Sequence, residues 1–140
     1  MLSQEDHEYF QYSSTSGDII VYAKSFYAAE LSNITSHNHV FIYKIKISNR
    51  SQDDIKLIAR EWTVVQEGGL TDIIRGEGVV GKQPVIKSGK DFEYASQTIL
   101  FSSSGVMYGK FFCLNLQSWQ NISIDIPAFS LDQNYKSEIS

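Results

Sequence analysis

Gly76, Gly78 and Gly81 lie in the run Arg75-Gly76-Glu77-Gly78-Val79-Val80-Gly81-Lys82, the GxGxxG spacing of a dinucleotide-binding loop. In that setting glycines let backbone amides approach a pyrophosphate, and Arg75 and Lys82 would add positive charge on either side. The fingerprint also requires a strand before it, a helix opening on it, and an acidic residue about 20 positions on. Here Pro84 follows three residues after Gly81, no helical repeat of apolar residues develops, and Gln97 to Phe101 contains no carboxylate. Glu77 inside the loop would repel a phosphate. The segment therefore reads as a glycine-rich loop between strands, its glycines supplying positive φ and Glu77 pairing with Arg75 or Lys82. The alternative is a pyrophosphate or phosphorylated-nucleotide site made of Arg75, Gly76, Gly78, Gly81 and Lys82.

Other candidate groups carry less. Arg60 and Trp62 are two apart, so on an unbulged strand they share a face and could form a stacking and anion platform. The plainer reading is a guanidinium packed on an indole, a contact of roughly 0.5–1 kcal/mol where exposed. His37 and His39 could face one ion from a strand, but a metal site needs a third or fourth ligand, and none is placed beside them. Cys113 lies in the apolar run Phe111-Phe112-Cys113-Leu114 and reads as a buried, reduced thiol, not a nucleophile. No Ser/His/Asp or Cys/His set with a local signature is present, so no catalytic residues, metal ligands or cofactor are expected.

The elements that must position these residues are strands. Asp18 to Tyr27 reads as the first strand, followed by a long polar connection from Glu30 to Asn38. From His39 to Asn49, Phe41, Tyr43, Ile45 and Ile47 share one face while Lys44, Lys46 and Ser48 share the other, the pattern of an antiparallel strand with one wet side. Ile55 to Gln66 changes parity between Leu57 and Trp62, which predicts a bulge near Ala59-Arg60. Gly68-Gly69 turns the chain into Leu70 to Arg75. Phe92, Tyr94 and Ser96 then alternate with Glu93 and Ala95. A long strand runs from Val106 to Leu116, and a last one from Asn121 to Ile126 stops at Pro127 with Ile122, Ile124 and Ile126 inward. Residues 1–17 are expected to form a flexible arm and 133–140 a flexible tail.

About seven strands with short turns and no amphipathic helix predict an all-β antiparallel sandwich of immunoglobulin or fibronectin type III style. At 140 residues, one domain of this size buries roughly 70% of its unfolded surface, so no disulfide is required. A single cysteine excludes an intrachain disulfide and fits a reducing compartment. The net charge of −4 argues against sequence-independent binding to nucleic acid or to an anionic membrane. The acidic, polar N-terminus is no signal peptide and no apolar run approaches membrane-spanning length, so the cytoplasm is the expected compartment.

Taken together these segments resemble the ApaG domain, also called DUF525. The resemblance is carried by Phe41-x-Tyr43-x-Ile45-x-Ile47-x-Asn49, Arg60-x-Trp62, Arg75-Gly76-Glu77-Gly78-Val79-Val80-Gly81-x-Gln83-Pro84, Gly89-x-x-Phe92-x-Tyr94-x-Ser96, Gly105-x-Met107-x-Gly109 and Ile126-Pro127-x-Phe129-Ser130-Leu131. It spans residues 18–132. Ser88 stands where the family usually has proline, and Gln117 to Gln120 replaces a more acidic turn. The resemblance implies a fibronectin type III-like sandwich without a known reaction. Similar bacterial proteins are associated with cobalt and magnesium homeostasis, and similar eukaryotic domains serve adaptor proteins as interaction modules. The expectation is a non-enzymatic module with an unidentified protein partner, or self-association through sheet edges, with no nucleic acid and no membrane.

Overall fold

The computed structural model describes residues 9–133, and nearly all of them are in strands or the turns between strands. The strands are β1 (Tyr12–Ser16), β2 (Ile19–Tyr27), β3 (His39–Asn49), β4 (Ile55–Gln66), β5 (Thr71–Glu77), β6 (Val85–Ile86), β7 (Asp91–Leu100), β8 (Ser104–Asn115) and β9 (Asn121–Asp132). They form two antiparallel sheets, one in the order β1-β2-β3-β7, the other β5-β4-β8-β9 with β6 also on β4. A single 3-10 turn, Ala29–Leu31, interrupts the connection from β2 to β3. The expected all-β sandwich is the observed fold.

The core follows the period-two pattern. Tyr43, Ile45, Ile47, Ile124 and Ile126 are buried, and Phe92, Tyr94 and Ile122 pack against them from the margin. At the centre, Trp62 meets Tyr43, Phe129 and Phe111 edge-on, with ring centroids 5.3, 5.9 and 6.4 Å away. Edge-to-face packing sets the positive rim of one ring against the negative face of the next.

Three sequence expectations are corrected in detail. The expected arm over 1–17 is shorter, because Tyr12–Ser16 pairs with Ile19–Ala23 as β1; residues 1–8 lie outside the described residues, as do 134–140 of the expected tail. Phe10 is buried against Tyr22 on the outer face of this sheet, so that face is not uniformly wet. The last strand does not stop at Pro127. β9 runs on to Asp132 through an irregularity in which Met107 pairs with Phe129 but Gly109 with Ile126. A proline can sit in such a bulge because the ladder there needs no N–H from it.

The two flanks of the sandwich differ. On one flank β1 is stitched to β9: Ser14 Oγ donates to the Asp125 carbonyl at 2.7 Å, and the Asp125 N–H donates to Ser16 Oγ at 3.0 Å. On the other flank stand β5 and β7, each hydrogen-bonded to a strand on one side only.

Candidate functional site

The predicted parity change in β4 is a one-residue bulge. Leu57 pairs with Cys113 and Ala59 with Phe112, leaving Ile58 as the extra residue. The bulge lets Leu57 and Trp62, of opposite parity, both face the core. It also presents the Ile58 carbonyl sideways, where it accepts the Gly78 N–H at 2.8 Å and Gln83 Nε2 at 2.9 Å. The glycine loop is thus seated on the bulge, bridging β5 and β6, which share one edge of β4.

Within the loop, Val79 and Lys82 exchange backbone hydrogen bonds of 2.8 and 2.9 Å. Gly78 and Gly81 adopt φ of +59° and +78°, and Val80 is also left-handed at +42°. Positive φ is the geometry glycine accepts at least cost. Gly76 lies within the β4–β5 ladder opposite Arg60. The amides of Val79 and Lys82 therefore serve the loop itself, and that of Gly78 ties it to β4.

Among the charged residues singled out from sequence, the structure separates Arg75 from the loop. Its Nε binds Glu61 Oε2 at 2.6 Å on the outer surface of β4 and β5. Glu61, not Glu77, is the partner. Lys82 is exposed. Arg60, two residues before Trp62 and past the bulge, instead shares the inward side with it. Its Nη1 donates to the carbonyls of Glu77 at 3.0 Å and Gly78 at 2.8 Å, clamping the loop entrance. The guanidinium is thus held by two carbonyls. His37 and His39 diverge: His37 is in a left-handed turn, while His39 is buried with Nδ1 3.3 Å from Tyr27 Oη. Among the described residues no group of three or more His, Cys, Asp or Glu side chains is placed to hold a metal ion.

Between the open flank strands and beneath this loop is a cavity of about 250 Å³. Arg60 and Trp62 line it from β4, Tyr43 from β3, Tyr94 and Ser96 from β7, and Val79 to Gly81 from the loop. The grouping follows from register, since Tyr43 pairs with Ser96 and Ile45 with Tyr94 across β3 and β7. Burial pushes the Tyr43 hydroxyl up from the usual tyrosine range, partly offset by a hydrogen bond with Ser96 and the charge of Arg60. Burial pushes Tyr94 well above that range, reinforced by Tyr43 and opposed by Arg60. Both phenols therefore stay protonated at neutral pH. Arg60, Trp62, Tyr94 and Ser96 all stand in sequence motifs, but only their strand register could have shown that they meet.

Cys113 is buried, and loss of hydration pushes its thiol up to about 12. It has the character of a core residue, as its apolar neighbours indicated.

Comparison with known proteins agrees with this architecture. The ApaG domain (DUF525) family model matches residues 29–115. Protein ApaG of Sinorhizobium fredii is 36% identical over 121 residues, covering 86% of this chain and 92% of that protein. Protein ApaG of Chromohalobacter salexigens is 37% identical over 113 residues, covering 81% and 89%. Among solved structures, the putative ApaA protein from Bordetella pertussis superposes with a TM-score of 0.78 at 30% identity, over 82% of this chain and 93% of that one. None of these names specifies a reaction. The chain belongs to the ApaG domain family.

Proposed function

We propose that this ApaG-domain protein is a non-enzymatic binding module that receives a protein partner as an added strand along β5. The observation that carries this reading is the exposure of an edge strand that, among the described residues, no other segment covers. Every residue from Thr71 to Arg75 is exposed, including the apolar Ile73 and Ile74. Edge strands are commonly protected by lysine, proline, a bulge or a covering segment, because their free N–H and C=O groups template another strand. β5 contains neither lysine nor proline, and its arginine is tied to Glu61. The opposite flank, stitched by Ser14, Ser16 and Asp125, offers no such template. The use of the loop amides within the chain favours this reading over a pyrophosphate cradle at Arg75, Gly76, Gly78, Gly81 and Lys82.

The family's association with cobalt and magnesium homeostasis would then be exercised through the partner. A single buried cysteine suits a reducing compartment, and the cytoplasm is the compartment this reading takes. The test is affinity capture from the native cell with the natural chain and with Ile73→Lys, alongside light scattering of each. A partner retained by the first and lost with the second, at unchanged thermal stability, is the expected result. A dimer mass abolished by Ile73→Lys would make the occupant a second copy. Equal capture by both proteins would remove β5 from consideration.

A further inference from the structure

The outward face of the β5-β4-β8-β9 sheet carries an ordered row of charge. Residues directly opposite one another on neighbouring strands point to the same side of a sheet. Register therefore places Arg75, Glu61, Lys110 and Asp125 in one row across all four strands. Arg75 binds Glu61 at 2.6 Å, and Lys110 lies 3.9 Å from Asp125. From β5 to β9 the row reads plus, minus, plus, minus. The rows beside it are apolar and uneven in size. Tyr108 and Phe112 stand exposed on β8, and opposite them β4 offers the smaller Thr63 and Ala59. Val106, also exposed, continues the β8 stripe opposite Val65. Apolar residues scattered singly over a surface are ordinary, whereas a contiguous set rimmed by polar groups marks an interaction site. The outer face of the other sheet differs, since Phe10 is buried there on Tyr22 and the Tyr9 ring lies 4.1 Å from Lys24 Nζ.

Both patterns are self-complementary under one operation. A two-fold axis running along the strands, between β4 and β8 and midway between two facing sheets, exchanges the halves of every row. β5 then faces β9 of the second copy, and β4 faces its β8. Arg75 meets Asp125 and Glu61 meets Lys110, so each charge finds its opposite. In the neighbouring rows Tyr108 falls on Thr63 and Phe112 on Ala59, large on small, as interdigitating sheet faces require. Thr63 also borders a shallow hollow of about 320 Å³ in which the ring can seat. An axis running across the strands along the row would instead set Arg75 on Arg75. A partner surface of one sign would match only half of the row. Three strands of twelve residues and one of seven present about 700 Å² of projected face. That is close to the roughly 800 Å² each partner contributes to a stable interface.

We propose that this sheet face is the interface of a two-fold symmetric homodimer. The β4 and β8 rows form its centre, with the alternating charges fixing register and orientation. The assignment goes beyond the β5 edge reading and does not rest on it. An added strand bonds to the free N–H and C=O groups of β5 in the plane of the sheet, whereas this interface lies above that plane. Ile73 opposes Thr63 and so belongs to this face as well as to the edge strand. The two surfaces are therefore told apart with residues of β4 and β8.

Sedimentation velocity of the purified chain is the test, with a dimer mass expected at micromolar concentration. Lys110→Glu sets carboxylate against carboxylate at both symmetric positions and should give a monomer. Glu61→Lys sets ammonium against ammonium and should do the same. Mixed together, the two variants regain opposite charges at both positions, and the dimer mass should return. Phe112→Ser touches no ion pair and should raise the dissociation constant at least about tenfold. It keeps the face testable if a charge variant unfolds. A monomer mass for the natural chain up to millimolar concentration would overturn the proposal. Failure of the two folded charge variants to dimerise when mixed would overturn the axis. A dimer that survives Lys110→Glu and Phe112→Ser but is lost with Ile73→Lys forms through the β5 edge, which also overturns it. Capture of a cellular partner along β5 is read separately, because Lys110→Glu leaves that strand unaltered.

Discussion

The guanidinium of Arg60 lies across the backbone of Gly76, so close that a Cβ built on Gly76 would be 2.8 Å from Nη1 and 2.9 Å from Cζ. The two residues are partners in the β4–β5 ladder. A Cβ at 76 would thus displace the arginine from its clamp on the loop, although the φ of Gly76 is not left-handed. Gly76→Ala should push the guanidinium off the carbonyls of Glu77 and Gly78. Both Gly76→Ala and Arg60→Gln should destabilise, and the double variant should cost less than their sum by about 1–2 kcal/mol. A urea-denaturation double-mutant cycle measures this coupling; additive costs would show that the contact contributes nothing.

Gly78 and Gly81 should respond differently to alanine. A Cβ on Gly78 would collide with the Lys82 carbonyl, and its φ is +59°. Gly78→Ala should therefore cost more than about 2 kcal/mol, above the left-handed strain alone. A Cβ on Gly81 meets open space at φ +78°, so Gly81→Ala should cost only about 1 kcal/mol. Thermal melts of the two variants give the comparison.

Alkaline pH should destabilise the fold through groups whose neutral forms it buries. The Cys113 thiol is raised from 9.0 to about 12, and Tyr43 and Tyr94 are raised from 10.0. Each contribution is fully present below the unfolded pKa and is lost as pH rises toward the folded value, since the unfolded chain releases its proton first. Denaturation free energy should fall from about pH 9 upward. Cys113→Ala should make the early part of that fall shallower, even though the cavity it leaves lowers stability at neutral pH. In the native protein Cys113 should react with a thiol reagent far more slowly than after denaturation.

Ser14 and Ser16 should matter more than exposed serines usually do, because they join the two sheets through Asp125. Ser14→Ala and Ser16→Ala should each cost about 1 kcal/mol. Hydrogen exchange at the Asp125 amide should accelerate in Ser16→Ala, whose hydroxyl accepts that bond, and less in Ser14→Ala. Equal rates in all three proteins would mean that this flank is closed by packing alone.

Much of the fold was legible in the sequence. The alternation from Phe41 to Ile47 and from Ile122 to Ile126 announced strands with one buried face, and the parity break between Leu57 and Trp62 announced the bulge. The end of the chain was harder to read. Pro127 signals a strand end in an isolated sequence, yet β9 passes through it because an irregular pairing with β8 removes the need for its missing N–H.

The sequence by itself determined the sandwich, the inward aromatic face and the loop geometry at Gly78 and Gly81, because period-two burial and positive φ are local properties. Tertiary structure alone decided that Arg60, and not Arg75 or Lys82, clamps the loop, and that Tyr43, Trp62, Tyr94 and Ser96 line one cavity. Charge beside a motif is visible in one dimension. Which side of a strand that charge occupies depends on a bulge two residues earlier, and which tyrosine it meets depends on the register of strands more than thirty residues apart.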